Sequence, residues 1–164
     1  MSQINPYDKY LDGRPLDAIL SSSAGAIASL LEAIGAANAA SAPAPGKWSP
    51  AEIVAHLADC EIAFGFRLRQ TLAEDNHTVQ PFDQEKWAAT YAGITASEAL
   101  AAFTAMRNWN LPLITRALPA AAGKTVTHPE RGAMTFLTIV ETMAGHDLNH
   151  IGQLARIAAP APAS

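Results

Sequence analysis

Residues 135–158 read TFLTIVETMAGHDLNHIGQLARIA, and this stretch decides the fold. Phe136, Ile139, Met143, His146, His150, Leu154 and Ile157 recur at three- and four-residue intervals, which places them on one face of an α-helix. An apolar face of that kind is stable only when buried against other helices. Here it carries two histidines inward with it. The spacing predicts a helix from about Thr135 to about Ala158, followed by a Pro/Ala tail from Pro160 that is expected to fray.

Three upstream segments supply the surfaces this helix needs. The clearest opens at Trp48-Ser49-Pro50-Ala51-Glu52-Ile53. Ser49 is the N-cap, Pro50 occupies the first helical position and Glu52 completes a capping box, while Trp48 is placed to pack on Ile53. The stripe then runs through Ile53, His56, Leu57, Cys60 and Phe64 and ends near Leu72. Another helix begins at Thr95 with Glu98 as capping partner, and its stripe holds Leu100, Phe103, Arg107, Leu111, Ile114 and Leu118. Pro112 lies inside it and is expected to kink it or remove one backbone bond. The first helix spans about Pro15 to Ala37, with a weakly helical centre at Ser21-Ser22-Ser23-Ala24-Gly25.

Ala39 to Lys47 is a Pro/Ala/Ser linker, and no internal repeat is visible. Strand-forming runs are confined to Lys124–Thr127 and His77–Gln80, which are expected to be too short to build a sheet. The connection from about Ala73 to Ile94 is long, with a turn of helix expected around Asp83–Ala89. A connection of that length permits a crossover between parallel helices. The expectation is an all-α four-helix bundle of up-down-down-up topology, in which the second and fourth helices are antiparallel.

Composition sets the outer bounds. The 164 residues are 49% hydrophobic and 16% charged, with a net charge of −4, as expected of a single globular domain over residues 1–164. The acidic balance argues against nucleic-acid partners. Cys60 is the single cysteine, which excludes an internal disulfide and fits a reducing compartment. Met1 to Tyr10 is polar and no apolar run reaches about 18 residues. These features predict a cytoplasmic protein without a membrane span.

The candidate chemistry lies in His56, His146 and His150. His146 and His150 stand four residues apart on the core face of one helix, a spacing that lets two imidazoles share a metal. His56 lies on the core stripe of the second helix, roughly 10 Å from its start. His150 lies roughly 12 Å from the end of the fourth. In antiparallel helices the three fall at one level.

His146-Asp147-Leu148-Asn149-His150 resembles the H-E-x-x-H zincin motif, but Asp147 replaces the glutamate. No His, Asp, Glu or Cys follows His150 to serve as a downstream ligand. Three readings therefore stand: an enzyme whose metal keeps a position open for water or a thiolate, a metal-binding module without turnover, and a structural bundle whose histidines satisfy one another. Asp59, Glu61 and Asp147 read as partners of the site, and no residue stands out as a general base. Arg67 and Arg107 sit on apolar stripes and are expected to pair with an acid such as Glu61. Cys60 reads as a small core residue, with a fourth metal ligand as the alternative. His128 reads as loop packing, His77 as an exposed loop residue, and Trp87 as a group able to line a pocket.

Lys47-Trp48-Ser49-Pro50, His56-Leu57-Ala58-Asp59-Cys60-Glu61, Arg67, His128-Pro129-Glu130-Arg131-Gly132, His146-Asp147-Leu148-Asn149-His150 and Gln153 together resemble the DinB-like superfamily of bacterial four-helix proteins. The resemblance covers roughly residues 15 to 158. It implies an up-down-down-up bundle, a divalent metal, zinc or nickel, on His56, His146 and His150, and a homodimer. It also implies action on a small molecule, either by transfer of a low-molecular-weight thiol, as in relatives that use bacillithiol or mycothiol, or by metal-dependent hydrolysis. The substrate itself is not legible in these residues.

Overall fold

Ser49 accepts a hydrogen bond from the Glu52 amide at 3.2 Å while the Glu52 carboxylate accepts from the Ser49 amide at 2.7 Å. The capping box thus starts its helix at Pro50. Thr95 and Glu98 repeat the device, and Thr135 caps the last helix by accepting from Thr138 N at 3.1 Å. The computed structural model describes residues 4–159, so the tail from Pro160 lies outside the described residues. After a 3₁₀ turn at Asp8–Tyr10, the helices are α1 (Leu16–Ile34), α2 (Ala36–Ala39), α3 (Pro50–Ala73), α4 (Gln84–Ala88), α5 (Ala96–Ala121) and α6 (Phe136–Ala158). Strands β1 (Thr125–His128) and β2 (Gly132–Thr135) lie between α5 and α6.

Side-chain partners fix the helix directions. Glu61 meets Arg107 and, one turn further along both helices, Gly65 abuts Asn110, so α3 and α5 run parallel. Ile19 and Leu20 share a core with Phe136, Ile139 and Met143, whereas Ile27 and Ile34 share one with Leu154. Thus α1 and α6 are also parallel. Leu68 packs with the start of α6, and Ile53, Val54 and Leu57 pack with its end, which makes α3 antiparallel to α6. The topology is up-down-down-up, with the crossover carried by the segment around α4. By length and composition α1 is apolar enough to cross a membrane, but Ile19, Leu20 and Ile27 are buried inside the bundle.

The serine-rich centre of α1 is helical: Ser22 and Ser23 turn their hydroxyls back onto the Ala18 and Ile19 carbonyls at 2.8 and 2.9 Å, and burial of Ile19, Leu20 and Ile27 on either side supplies the stability their propensity does not. The helix stops at Ile34, short of the expected Ala37, where Gly35 takes φ +80° and turns the chain into α2. α5 continues through both Pro112 and Pro119.

The two runs expected to be too short for a sheet are corrected by the structure. β1 and β2 pair antiparallel from Thr125↔Thr135 to His128↔Gly132. The His77–Gln80 run joins alongside: Val79 N donates to Thr127 O at 2.9 Å and Thr127 N donates to His77 O at 3.1 Å. So short a ladder holds because Val79, Val126 and Met134 bury their side chains in the core at the start of α6. Tertiary burial supplies what strand length does not.

Candidate metal centre

The antiparallel packing of α3 on α6 brings His56 against His146 and His150. Nε2 of His146 lies 3.1 Å from Nε2 of His56 and 3.0 Å from Nε2 of His150. All three histidines are buried, and one ligand atom from each lies within 4.8 Å of the others. Two ligands bound tetrahedrally at about 2.1 Å stand about 3.4 Å apart, close to the observed contacts.

The donor chemistry fits a cation. Gln153 Oε1 lies 2.9 Å from His150 Nδ1 and can only accept, so His150 carries its proton on Nδ1 and presents a lone pair at Nε2. One proton on His146 Nε2 can serve only one of that atom's two close contacts. A cation among the three nitrogens satisfies all of them. Burial, reinforced by the positive charge His150 can carry, holds the His56 pKa down at about 4. Burial also lowers those of His146 and His150, the latter partly offset by Gln153 and Asp147. The rings are therefore neutral at neutral pH, as ligation requires.

Aromatic rings close around the cluster. Trp48 lies 4.9 Å from the His56 ring, and Tyr7 meets the His146 ring edge-on at 4.9 Å. The Tyr7 contact depends on Gly145, where an added Cβ would fall 2.5 Å from the Tyr7 carbonyl oxygen and 2.8 Å from its Cβ. The N-terminal segment is thus part of the site, which its polar sequence did not signal. Gln153, one turn beyond His150, entered the sequence reading only through the family resemblance.

The neighbouring carboxylates are engaged elsewhere. Arg107 donates to Asp147 Oδ2 at 2.7 Å, to Asp147 Oδ1 at 3.1 Å, to Glu61 Oε1 at 2.7 Å and to the Leu20 carbonyl at 2.9 Å. Asn110 donates to both Glu61 Oε2 and the Glu61 carbonyl at 3.0 Å. Asp59 accepts from the Tyr91 hydroxyl at 2.8 Å. Arg107 therefore pairs with Glu61 as expected.

Arg67 does not. Its Nη2 donates to the Gln80 carbonyl at 2.9 Å and its guanidinium lies over Phe82. The expected acid partner is replaced by a backbone carbonyl of the distant crossover, because Glu61 is taken up by Arg107 and Asn110. Cys60 Sγ lies 3.5 Å from His56 Nε2. Burial, then the charges of Asp59 and Glu61, raises its thiol pKa. His77 is half-buried rather than exposed, because the Val79–Thr127 pairing draws its segment onto the hairpin. His128 is buried and accepts from the Glu130 amide. Trp87 packs on Phe82, and the crossover lines the large cleft through Gln84 and Glu85 instead.

That cleft, of about 830 Å³, reaches His56 and His150 and is walled by Trp48, Ile53, Asn149 and Gln153 among others. Its size is that of a small-molecule site. A smaller pocket of about 160 Å³ touches His56 and His146, and it shares Tyr7, His56 and Gln84 with the cleft.

Fold and site together define a four-helix bundle with a buried three-histidine cluster opening on a ligand-sized cleft. Residues 20–154 match the DinB superfamily, and the chain belongs to that family. It is 24% identical over 113 residues to a protein of Oceanobacillus iheyensis provisionally named a metal-dependent hydrolase, the match spanning 68% of this chain and 66% of that one. A similarly named protein of Bacillus mycoides is 24% identical over 113 residues, with 68% of this chain and 65% of its own length matched. The match thus spans just under two thirds of these relatives. The solved structure of YfiT from Bacillus subtilis, provisionally described as a metal-dependent hydrolase with an unusual four-helix bundle topology, superposes with a TM-score of 0.75. The two share 18% identity, with 95% of this chain and 89% of YfiT covered.

Proposed function

We propose that His56, His146 and His150 hold one divalent cation, zinc or nickel, and that the protein uses it to act on a small molecule in the adjoining cleft. The observation that carries this reading is the convergence of three buried, neutral imidazoles at 3.0–3.1 Å around His146 Nε2. When bound, such an ion supplies Lewis acidity that lowers the pKa of a water or a thiol. Gln153 fixes the His150 tautomer, Tyr7 and Trp48 shield the cluster, and the cleft admits the substrate. The names of the relatives favour hydrolysis as the reaction.

A second reading, transfer of a low-molecular-weight thiol, draws on a separate observation. Glu61 and Asp147 are bound to Arg107 and Asp59 is bound to Tyr91. Asp59, Glu61 and Asp147 are thereby occupied, which suits a thiol nucleophile that needs no added general base. A homodimer in the cytoplasm belongs to the same proposal. The test is turnover of ester, amide and electrophilic substrates by metal-loaded and chelated protein, with and without an added thiol. Metal-dependent turnover without thiol identifies a hydrolase, strict thiol dependence identifies a transferase, and no turnover under either condition contradicts the enzymatic reading.

A further inference from the structure

The smaller pocket has a chemical character distinct from that of the cleft. Arg67 enters it from α3, while His128 and Arg131 enter from the hairpin. The Arg67 guanidinium donates to the Gln80 carbonyl at 2.9 Å and lies over the Phe82 ring. Burial, then the nearby positive charge of Arg131, lowers the Arg67 pKa. Two guanidinium groups thus repel each other across a partly desolvated space. His128 is buried, and its Nδ1 accepts from the Glu130 amide at 3.2 Å. The neutral ring consequently carries its proton on Nε2, which is a third donor. Counting Glu130 against the two arginines leaves the lining with one net positive charge. Phe64 and Phe82 supply an apolar wall.

We propose that the pocket formed by Arg67, Arg131 and His128 is a subsite for the carboxylate of a small monoanionic substrate, held beside the histidine cluster. Guanidinium forks match a carboxylate in geometry and charge. In the metal-free protein the single net charge favours a carboxylate over a doubly charged phosphate. Because Tyr7, His56 and Gln84 border both spaces, one ligand can lodge its anion here and extend past the histidines into the cleft. The inference rests on the proposed metal site only for what lies beside the anion.

The experiment is isothermal titration of benzoate, of neutral benzamide and of inorganic phosphate into zinc-loaded and chelator-treated protein, repeated on Arg67→Gln and Arg131→Gln. These residues lie on separate elements, so misfolding of one variant leaves the other to decide. The expected result is that each folded variant binds benzoate at least tenfold more weakly while benzamide binding, weak throughout, is unchanged. Unaltered benzoate affinity in the folded variants, benzamide binding as tightly as benzoate, or phosphate binding more tightly than benzoate to the chelated protein would overturn the assignment. The chelated arm separates the two readings: failure of zinc to bind leaves the benzoate result intact, and zinc binding without any effect of the arginines removes the subsite alone.

Discussion

Arg107 grips Asp147 with both terminal nitrogens, Nη1 to Oδ2 at 2.7 Å and Nη2 to Oδ1 at 3.1 Å, one residue along the chain from His146. Through Glu61 and the Leu20 carbonyl the same guanidinium also ties α3 and α1 to α5 and α6. All four long helices therefore meet at one buried cation. The histidines lie on α3 and α6, two of the helices it joins, so this network sets the register on which their convergence depends.

Removing that cation strands two buried carboxylates. Arg107→Met should lower stability by about 3–5 kcal/mol. Arg107→Lys should recover only part of the loss, since a lysine cannot reproduce the bidentate fork. Urea titration of the three proteins checks both statements, and a neutral Arg107→Met would show that the network does not hold the helices together.

Ser49→Ala removes the acceptor for the Glu52 amide. The expected loss is about 1 kcal/mol, with metal content unchanged because the cap lies at the end of α3 and touches no histidine nitrogen. Equal urea midpoints for mutant and parent would refute the cap's contribution.

The legible part of the molecule was the part determined locally. Ser49 with Glu52, and Thr95 with Glu98, announced helix starts within four residues, and the 146/150 spacing put two rings on one face without reference to the rest of the chain. The direction of α3 against α6 followed from the length of the crossover. Features that depend on distant partners were not legible. Tyr7 reaches His146 only because Gly145 leaves room, and Arg67 finds the Gln80 carbonyl across a long loop. The hairpin is stable because Val126 and Met134 find a core made by other helices. Neither the stripe of Arg67 nor the length of Lys124–Thr127 encodes those partners.

Acid should destabilise the metal-free protein. The folded pKa of His56 is held at about 4, against 6.5 for an ordinary histidine, and those of His146 and His150 are also lowered. Between these limits the unfolded chain binds more protons than the folded one, so stability rises with pH. The contribution is fully present above about pH 6.5 and is lost as pH falls toward 4, by roughly 2–3 kcal/mol for His56 alone. Urea midpoints of chelated protein at intervals from pH 7.5 to 4.5 test the sign, and a midpoint that is flat or rises toward acid contradicts it.

Gly145→Ala should push Tyr7 off the His146 ring, since the new Cβ falls 2.5 Å from the Tyr7 carbonyl oxygen. Overpacking of this kind costs about 1–3 kcal/mol. Faster cleavage by a protease around Tyr7 and Tyr10, with the helical circular dichroism retained, is the expected outcome. An unchanged cleavage rate would mean that the N-terminal segment is not held at that contact.

The central claim is that three histidines share one cation, and elemental analysis of purified protein tests it most directly. The account predicts one equivalent of zinc or nickel per chain in the parent. His56→Ala, His146→Ala and His150→Ala should each retain less than about a tenth of that, because two imidazoles alone make a poor site. A chelator should lower the melting temperature of the parent and leave the three variants unmoved. Parent protein that takes up no divalent metal even when supplied with excess zinc, or single variants that bind as much as the parent, would contradict the account.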